Sequence, residues 1–253
     1  MSEILSVHDM TQCFGGLNAL KGVSMHVDQG EIVGVIGPNG AGKTTLFNCI
    51  TGMYRPTKGS VRMVGTDITG WRPYQITAYG FGRTFQNVRL FSRMSVLDNV
   101  IVGMHISTRL SFSQMIVVGK MRRTMDDAVH KAEEILKIFG LYENRYEMAT
   151  SLPYGDQRKV EIARALALEP KLLLLDEPAA GMNEIETEEL MNTVYALRER
   201  GNTILLIEHD MKFVMNICDR LYVLNDGALI AEGSPGEVRT NPVVIEAYLG
   251  KEA

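Results

Sequence analysis

Residues 37–45 read Gly37-Pro38-Asn39-Gly40-Ala41-Gly42-Lys43-Thr44-Thr45, a run that few backbones accommodate. Before it stands Ile32-Val33-Gly34-Val35-Ile36, short, apolar and β-branched, which reads as a buried strand. After it, Leu46, Phe47 and Ile50 recur at helical spacing as far as Gly52. Strand, glycine loop and helix in that order form a phosphate cradle. The glycines let the chain curl so that successive N–H groups point inward, and the helix adds its positive end. Lys43 reaches β- and γ-phosphates, and the Thr44 hydroxyl can ligate Mg²⁺. A glycine turn that merely starts a helix is the alternative, but the flanking strand and helix are the context that nucleotide binding demands. Residues Gly37, Pro38, Asn39, Gly40, Ala41, Gly42, Lys43, Thr44 and Thr45 are therefore the candidate nucleotide ligands.

The rest of the chain alternates strand and helix signals. Strand-like patches lie at 5–8, 23–27 and 60–64. The stretch 95–140 is helical in pattern, clearest over 126–139, where Ala128, Val129, Ala132, Ile135, Leu136 and Phe139 make one apolar face before Gly140. Helices are also expected at about 157–168 and 186–200, and buried strands at 172–175 and 203–207. This alternation predicts an α/β fold with a mainly parallel core sheet and an antiparallel β region. The helical middle is expected as an inserted subdomain over 88–158, the core comprising 1–87 and 159–253.

Four leucines, Leu172 to Leu175, run into Asp176 and Glu177. In a parallel sheet, ligands lie beyond the carboxyl ends of strands, so both acids should face the phosphate loop. Asp176 would hold Mg²⁺ through its water shell, and Glu177 would polarise an attacking water. A solvated acid pair at a helix start is the blander reading. The apolar strand Ile204-Leu205-Leu206-Ile207 leads likewise into Glu208-His209-Asp210. From that position His209 could reach the γ-phosphate and the water, whereas a lone histidine elsewhere is usually structural.

Composition excludes several classes. The chain has 253 residues, 45% hydrophobic and 22% charged, as a globular protein with a real core does, so disorder and coiled coil are excluded. A net charge of −4 gives no footprint for nucleic acid, and no apolar run is long enough for a membrane-spanning helix. The first residues, with an early acid and no basic-then-apolar stretch, carry no expected secretory signal. Cys13, Cys49 and Cys218 lie too far apart for a CxxC site and are expected as reduced thiols in a cytoplasmic protein.

With these motifs in place, the chain resembles the ATP-binding subunits of ABC transporters along essentially its whole length. Phe85-Gln86, after Gly82-Arg83-Thr84, looks like the family's Q-loop. Ser151-Leu152-Pro153-Tyr154-Gly155-Asp156-Gln157-Arg158 occupies the signature position, and Ala179-Ala180-Gly181-Met182 that of the D-loop. Phe14 sits where the family places a ring under adenine, the alternative being a core aromatic. The resemblance implies ATP and Mg²⁺ as cofactors. It makes Glu177, His209 and Gln86 the catalytic residues, and Thr44, Gln86 and Asp176 the metal site. Leu152, Pro153, Tyr154, Gly155 and Asp156 would contact the nucleotide of a partner subunit. Phe-Gly-Gly-Leu near the start, Gly-Arg-Thr-Phe-Gln-Asn-Val-Arg-Leu-Phe and Ile-Glu-His-Asp-Met look like branched-chain amino acid importers, in particular the longer of their two ATPase subunits. Urea importers and the lipopolysaccharide-export ATPase share several of these words. Two further rivals fit less well. Soluble relatives in DNA repair or translation carry long coiled-coil insertions or two nucleotide domains. A regulator that does not hydrolyse ATP would not need Glu177 and His209.

The resemblance also implies partners: a second ATP-binding subunit, identical or paralogous, in a head-to-tail sandwich; integral-membrane permease subunits; and, indirectly, a solute-binding protein. The chain would then be cytoplasmic and peripheral on the plasma membrane's inner face. Val88, Leu90, Phe91 and Met94 could line a groove for a permease helix or pack inside the subdomain. The stretch 104–123 could face a partner or form a plain helix hairpin. The signature departs from LSGGQ: Pro153 replaces serine, Tyr154 the first glycine, and Asp156 the last residue. Proline has neither hydroxyl nor N–H, so the family's serine–phosphate bond cannot form.

Overall fold

In the computed structural model, residues 2–104 and 118–249 are described. Of the stretch 104–123, residues 105–117 fall outside them, so neither reading of it is decided. The cradle's flanking elements appear as expected, strand β3 at Ile32–Ile36 and helix α1 at Lys43–Ile50.

Two sheets make the frame. Strands β1 (Glu3–Phe14), β2 (Leu17–Asp28), β4 (Lys58–Met63) and β5 (Thr66–Asp67) form an antiparallel sheet in the order β2-β1-β4-β5. The six-stranded sheet adds β6 (Phe81–Arg83), β7 (Leu172–Asp176), β8 (Ile204–Ile207), β9 (Arg220–Asn225) and β10 (Ala228–Gly233) to β3. Its order is β10-β9-β3-β8-β7-β6, parallel throughout except for β10 at the edge.

The central strands are apolar up to Asp176 at the end of β7 because both faces are covered. Val33, Val35, Leu172, Leu174, Leu205 and Ile207 point into a core shared with the antiparallel sheet and α1. Their neighbours Ile32, Ile36, Leu173, Leu175, Ile204 and Leu206 point into the opposite core, which the helices close. The helices are α2 (Pro73–Tyr79), α3 (Val96–Gly103), α4 (Val118–Ile138), α5 (Tyr154–Leu166), α6 (Glu184–Glu199), α7 (Met211–Ile217), α8 (Pro235–Thr240) and α9 (Pro242–Leu249). Helices α3, α4 and α5 pack on one another, and α5 also touches β6 and β7, so it joins the helical middle to the sheet.

Several elements differ from the sequence expectations, and three of the differences have a clear physical cause. β1 and β2 run through 12 residues each, because bulges, one beside Asp9 at φ +47°, break the two-residue alternation that marks a strand. Helix α5 starts at Tyr154 instead of 157, with Pro153 as its N-cap; Gly155 in the first turn hid the start, being a poor helix former. The β9–β10 hairpin was not expected, although Asp226-Gly227 between the strands, both at positive φ, is a strong turn signal. The three cysteines are free, as expected, and burial pushes the Cys49 thiol up to about 11.

The loop after β6 is held by one buried amide. Asn99 on α3 is fully buried. It accepts the Phe91 N–H at 2.9 Å and donates to the carbonyls of Phe91 (3.2 Å) and Ser95 (2.9 Å). Asn99→Ala leaves the Phe91 N–H without its acceptor, while the two carbonyls keep their backbone donors, and should cost about 1–3 kcal/mol, read as a lower urea midpoint at unchanged slope.

Candidate nucleotide site

Glycine geometry shapes the loop between β3 and α1. Gly37, Gly40 and Gly42 have φ of +148°, +83° and +102°, in the half of φ space that other residues rarely enter. A Cβ on Gly37 would strike the Leu224 carbonyl oxygen, and one on Gly42 would lie 2.7 Å from that of Ala19. The loop is thus wedged between β2 and the β9–β10 turn and cannot relax outward. Helix α1 starts at Lys43 with no side-chain cap and no acid in its first turn, so its N-terminal N–H groups and positive dipole end remain for an anion. Lys43 is buried and folds back on its own loop, donating from Nζ to the carbonyls of Gly37 (2.6 Å) and Pro38 (3.0 Å). Burial lowers its pKa, with the Glu177 carboxylate pulling the other way. A cavity of about 570 Å³ opens over the loop, lined among others by Phe14, Lys43, Thr44, Thr45, Gln86 and Glu177. Phe14 is 42% exposed and meets Tyr54 edge-on at 5.2 Å, so it is a cavity wall and not a core aromatic.

The acid pair stands where β7 ends. Asp176 is buried and ion-paired with Arg83 (Nη2–Oδ2 3.1 Å), and its N–H is received by the Thr84 hydroxyl. Burial raises the Asp176 pKa, opposed by Arg83. Glu177 turns the chain at φ +48°, a left-handed conformation that costs a non-glycine residue about 1–3 kcal/mol. The turn aims its carboxylate into the cavity. Gln86 Nε2 donates to Glu177 Oε2 at 3.1 Å, and His209 Nδ1 lies 3.9 Å from the same oxygen. Side chains from beyond β6 and β8 therefore converge on one oxygen of the carboxylate at the end of β7.

Two buried charges, neither of them singled out by the sequence motifs, hold this constellation. Arg158, 0% exposed, donates to the carbonyls of Phe85, Gln86, Asp176 and Glu177 and pairs with Glu161. Glu208, also fully buried, accepts the N–H groups of Ala179 (2.7 Å), His209 (3.1 Å) and Asp210 (3.5 Å). Asp226, at the β9–β10 turn, adds an acid to the cavity wall.

The signature residues lie elsewhere: Leu152, Pro153, Tyr154, Gly155 and Asp156 do not line the cavity. Leu152 and Gly155 are buried, and a Cβ on Gly155 would meet the Glu186 carboxylate at 2.8 Å. Tyr154 is 43% exposed and its ring lies against Gly181. Asp156 pairs with Lys159 at 3.2 Å.

A glycine cradle at the carboxyl edge of a mostly parallel sheet, with acids at the next strand ends, defines a P-loop nucleotide hydrolase. The chain belongs to the ABC transporter family, whose model matches residues 20–180. A second model, described as branched-chain amino acid ATP-binding cassette transporter, matches residues 228–253. The high-affinity branched-chain amino acid transport ATP-binding protein LivG of Salmonella typhimurium is 47% identical, over 98% of each chain. BraF of Pseudomonas aeruginosa, with the same description, is 46% identical, again over 98% of each. Among solved structures, the ADP conformation of an ATP-binding cassette of an ABC transporter superposes with a TM-score of 0.86 at 35% identity, covering 99% of this chain and all of that one. A bacterial cassette solved as a dimer gives 0.78 at 26% identity, covering 92% of this chain and 99% of that one. The chain is thus an ATP-binding, ATP-hydrolysing subunit of an ABC transporter.

Burial raises the Glu208 pKa, outweighing the three N–H groups that lower it. Between the unfolded glutamate value of about 4.3 and that raised value, the folded state binds more protons, so stability falls as pH rises. Glu208→Gln has no such group to ionise. Urea unfolding at a series of pH values should show the stability difference moving in the variant's favour as pH rises through this window; movement the other way contradicts it.

Proposed function

We propose that this chain powers import of branched-chain amino acids, hydrolysing ATP at the cavity over residues 37–45. One observation carries the catalytic reading: Gln86 and His209 converge on a single oxygen of the Glu177 carboxylate, which lines the cavity over the phosphate cradle. The importer reading rests on the named relatives and on the match over 228–253.

The cradle fits a triphosphate. The N–H groups of the loop and of the first turn of α1 receive phosphate oxygens, and Lys43 exchanges its two carbonyl acceptors for β- and γ-phosphate oxygens. Its depressed pKa is restored there, because the phosphates favour the charged amine. Phe14 offers a ring face to adenine. The donors near the γ-phosphate position are a Thr44 hydroxyl, a Gln86 amide and, one layer behind, the Asp176 carboxylate. This all-oxygen set suits Mg²⁺, which when bound neutralises charge developing on the phosphates. Glu177 accepts a proton from the attacking water and orients it, and His209 and Gln86 hold that water and the γ-phosphate in line.

Residues 152–156, away from this cavity, then serve the nucleotide of a second subunit, as two-fold head-to-tail pairing requires. The helical unit, about 88–158, turns against the core, about 1–87 and 159–253, as the pair closes, with α5 as the rigid element that spans the boundary. Permease subunits dock in the groove lined by Phe85, Leu90, Phe91, Val102 and Leu168. There Leu90 also packs against the core while Phe91 stays exposed. Among the described residues no helix is long and apolar enough to cross a membrane; the transport systems of the named relatives support a peripheral subunit held on the cytoplasmic face by its permease.

Glu177→Gln removes the proton acceptor but keeps the shape. Turnover should fall by about 10²-fold or more, with ATP retained and a stable dimer in sedimentation velocity; full turnover would overturn the catalytic reading. Pro153→Ser restores a hydroxyl at the signature and should tighten ATP-dependent dimerisation of the Glu177→Gln chain. An unchanged dimer constant contradicts the assignment of Pro153 to the partner's phosphate.

A further inference from the structure

Arg158 is among the largest fully buried side chains of the described residues, and its acceptors are unusual. Nη1 donates to the Phe85 carbonyl and to Glu161 Oε2 (2.8 Å). Nη2 donates to the carbonyls of Gln86 at 2.9 Å and Glu177 at 2.7 Å, with that of Asp176 at 3.4 Å. One nitrogen thus ties together the backbones of two residues whose side chains meet in the cavity. Glu161 alone would neutralise Arg158. The backbone carbonyls add geometry, because a planar guanidinium fixes the directions in which its acceptors lie. Glu177 needs such fixing, since its left-handed backbone is uphill and its carbonyl is the one that Arg158 takes.

Arg158 also lies one turn into α5, whose first turn carries Tyr154, Gly155 and Asp156. Gly155, Arg158, Ile162 and Ala165 share one buried stripe of that helix. A helix moves as a rod over such a distance, so a shift of its exposed N-terminal end carries the guanidinium with it.

We propose that Arg158 is a positioning residue for hydrolysis, making the alignment of Gln86 and Glu177 depend on how the signature end of α5 is docked. This rests on the reading that 152–156 face a partner's nucleotide. It adds a route from that contact to the subunit's own reaction centre, through one buried side chain and no loop rearrangement.

Arg158→Lys in the full chain keeps the charge but replaces the planar fork by one ammonium nitrogen on a shorter reach. Steady-state hydrolysis of Mg-ATP should show kcat lowered about tenfold or more. KM and the affinity for a fluorescent methylanthraniloyl ATP should stay within about twofold, and Arg158→Lys combined with Gln86→Ala should be no slower than the slower single variant. A kcat within twofold of wild type, or an affinity that falls in step with kcat, overturns the proposal. A measurement without substitution at 158 guards against a variant that does not fold. In the Glu177→Gln chain titrated with Mg-ATP, amide exchange at 154–160, 86–88 and 177–180 should slow with one shared midpoint, and separate midpoints overturn the proposal. Failure of the underlying site reading shows separately, as undiminished turnover of Glu177→Gln.

Discussion

Parallel pairing of β3, β8 and β7 is the constraint on which the rest depends. Val35 stands opposite Ile207, and Ile207 opposite Asp176, so the three strands end at nearly one level. Whatever follows each strand must emerge at the same edge: the glycine loop after β3, Glu177 after β7, and Glu208 and His209 after β8. The pairing is enforced by burial on both faces. A shift of one residue would exchange the side chains of two separate cores, and each strand has apolar residues fitted to both.

Strand ends bring the loops together but do not fix their fine geometry, and there the protein uses buried charge. Arg158 collects carbonyls from the Q-loop and the end of β7, while Glu208 collects N–H groups from the D-loop and the turn after β8. Placing ions in a core is a costly way to gain stability. It is an effective way to specify one arrangement, since a displaced loop would leave a charge without its partners. The positive φ of Glu177 fits this picture, because strain at a functional residue persists only where its surroundings over-determine it.

The contrast with what the sequence discloses has a physical basis. The phosphate loop, the acid pair and His209 were legible because each is a contiguous run following an apolar strand, and contiguity is what a linear reading detects. The parallel core was legible for the same reason, through Leu172 to Leu175 and Ile204 to Ile207. Arg158 and Glu208 were not, since the contacts that matter reach Phe85, 73 residues from Arg158, and Ala179, 29 residues from Glu208. The one cue was a charge within an apolar stripe, Arg158 between Gly155 and Ile162. Bulges hid the length of β1 and β2, and Gly155 hid the first turn of α5. That last omission matters, because it places Tyr154 to Asp156 on the helix that carries Arg158.

Under the proposed function, one chain's cradle and another chain's signature enclose the same γ-phosphate. Orthovanadate trapped with Mg-ADP occupies that position, and ultraviolet irradiation then cuts the backbone beside it. Cleavage is expected within residues 37–45 and, in the same trapped dimer, within 152–156. Cleavage at the loop alone, or at neither segment in a chain that still traps vanadate, would contradict it.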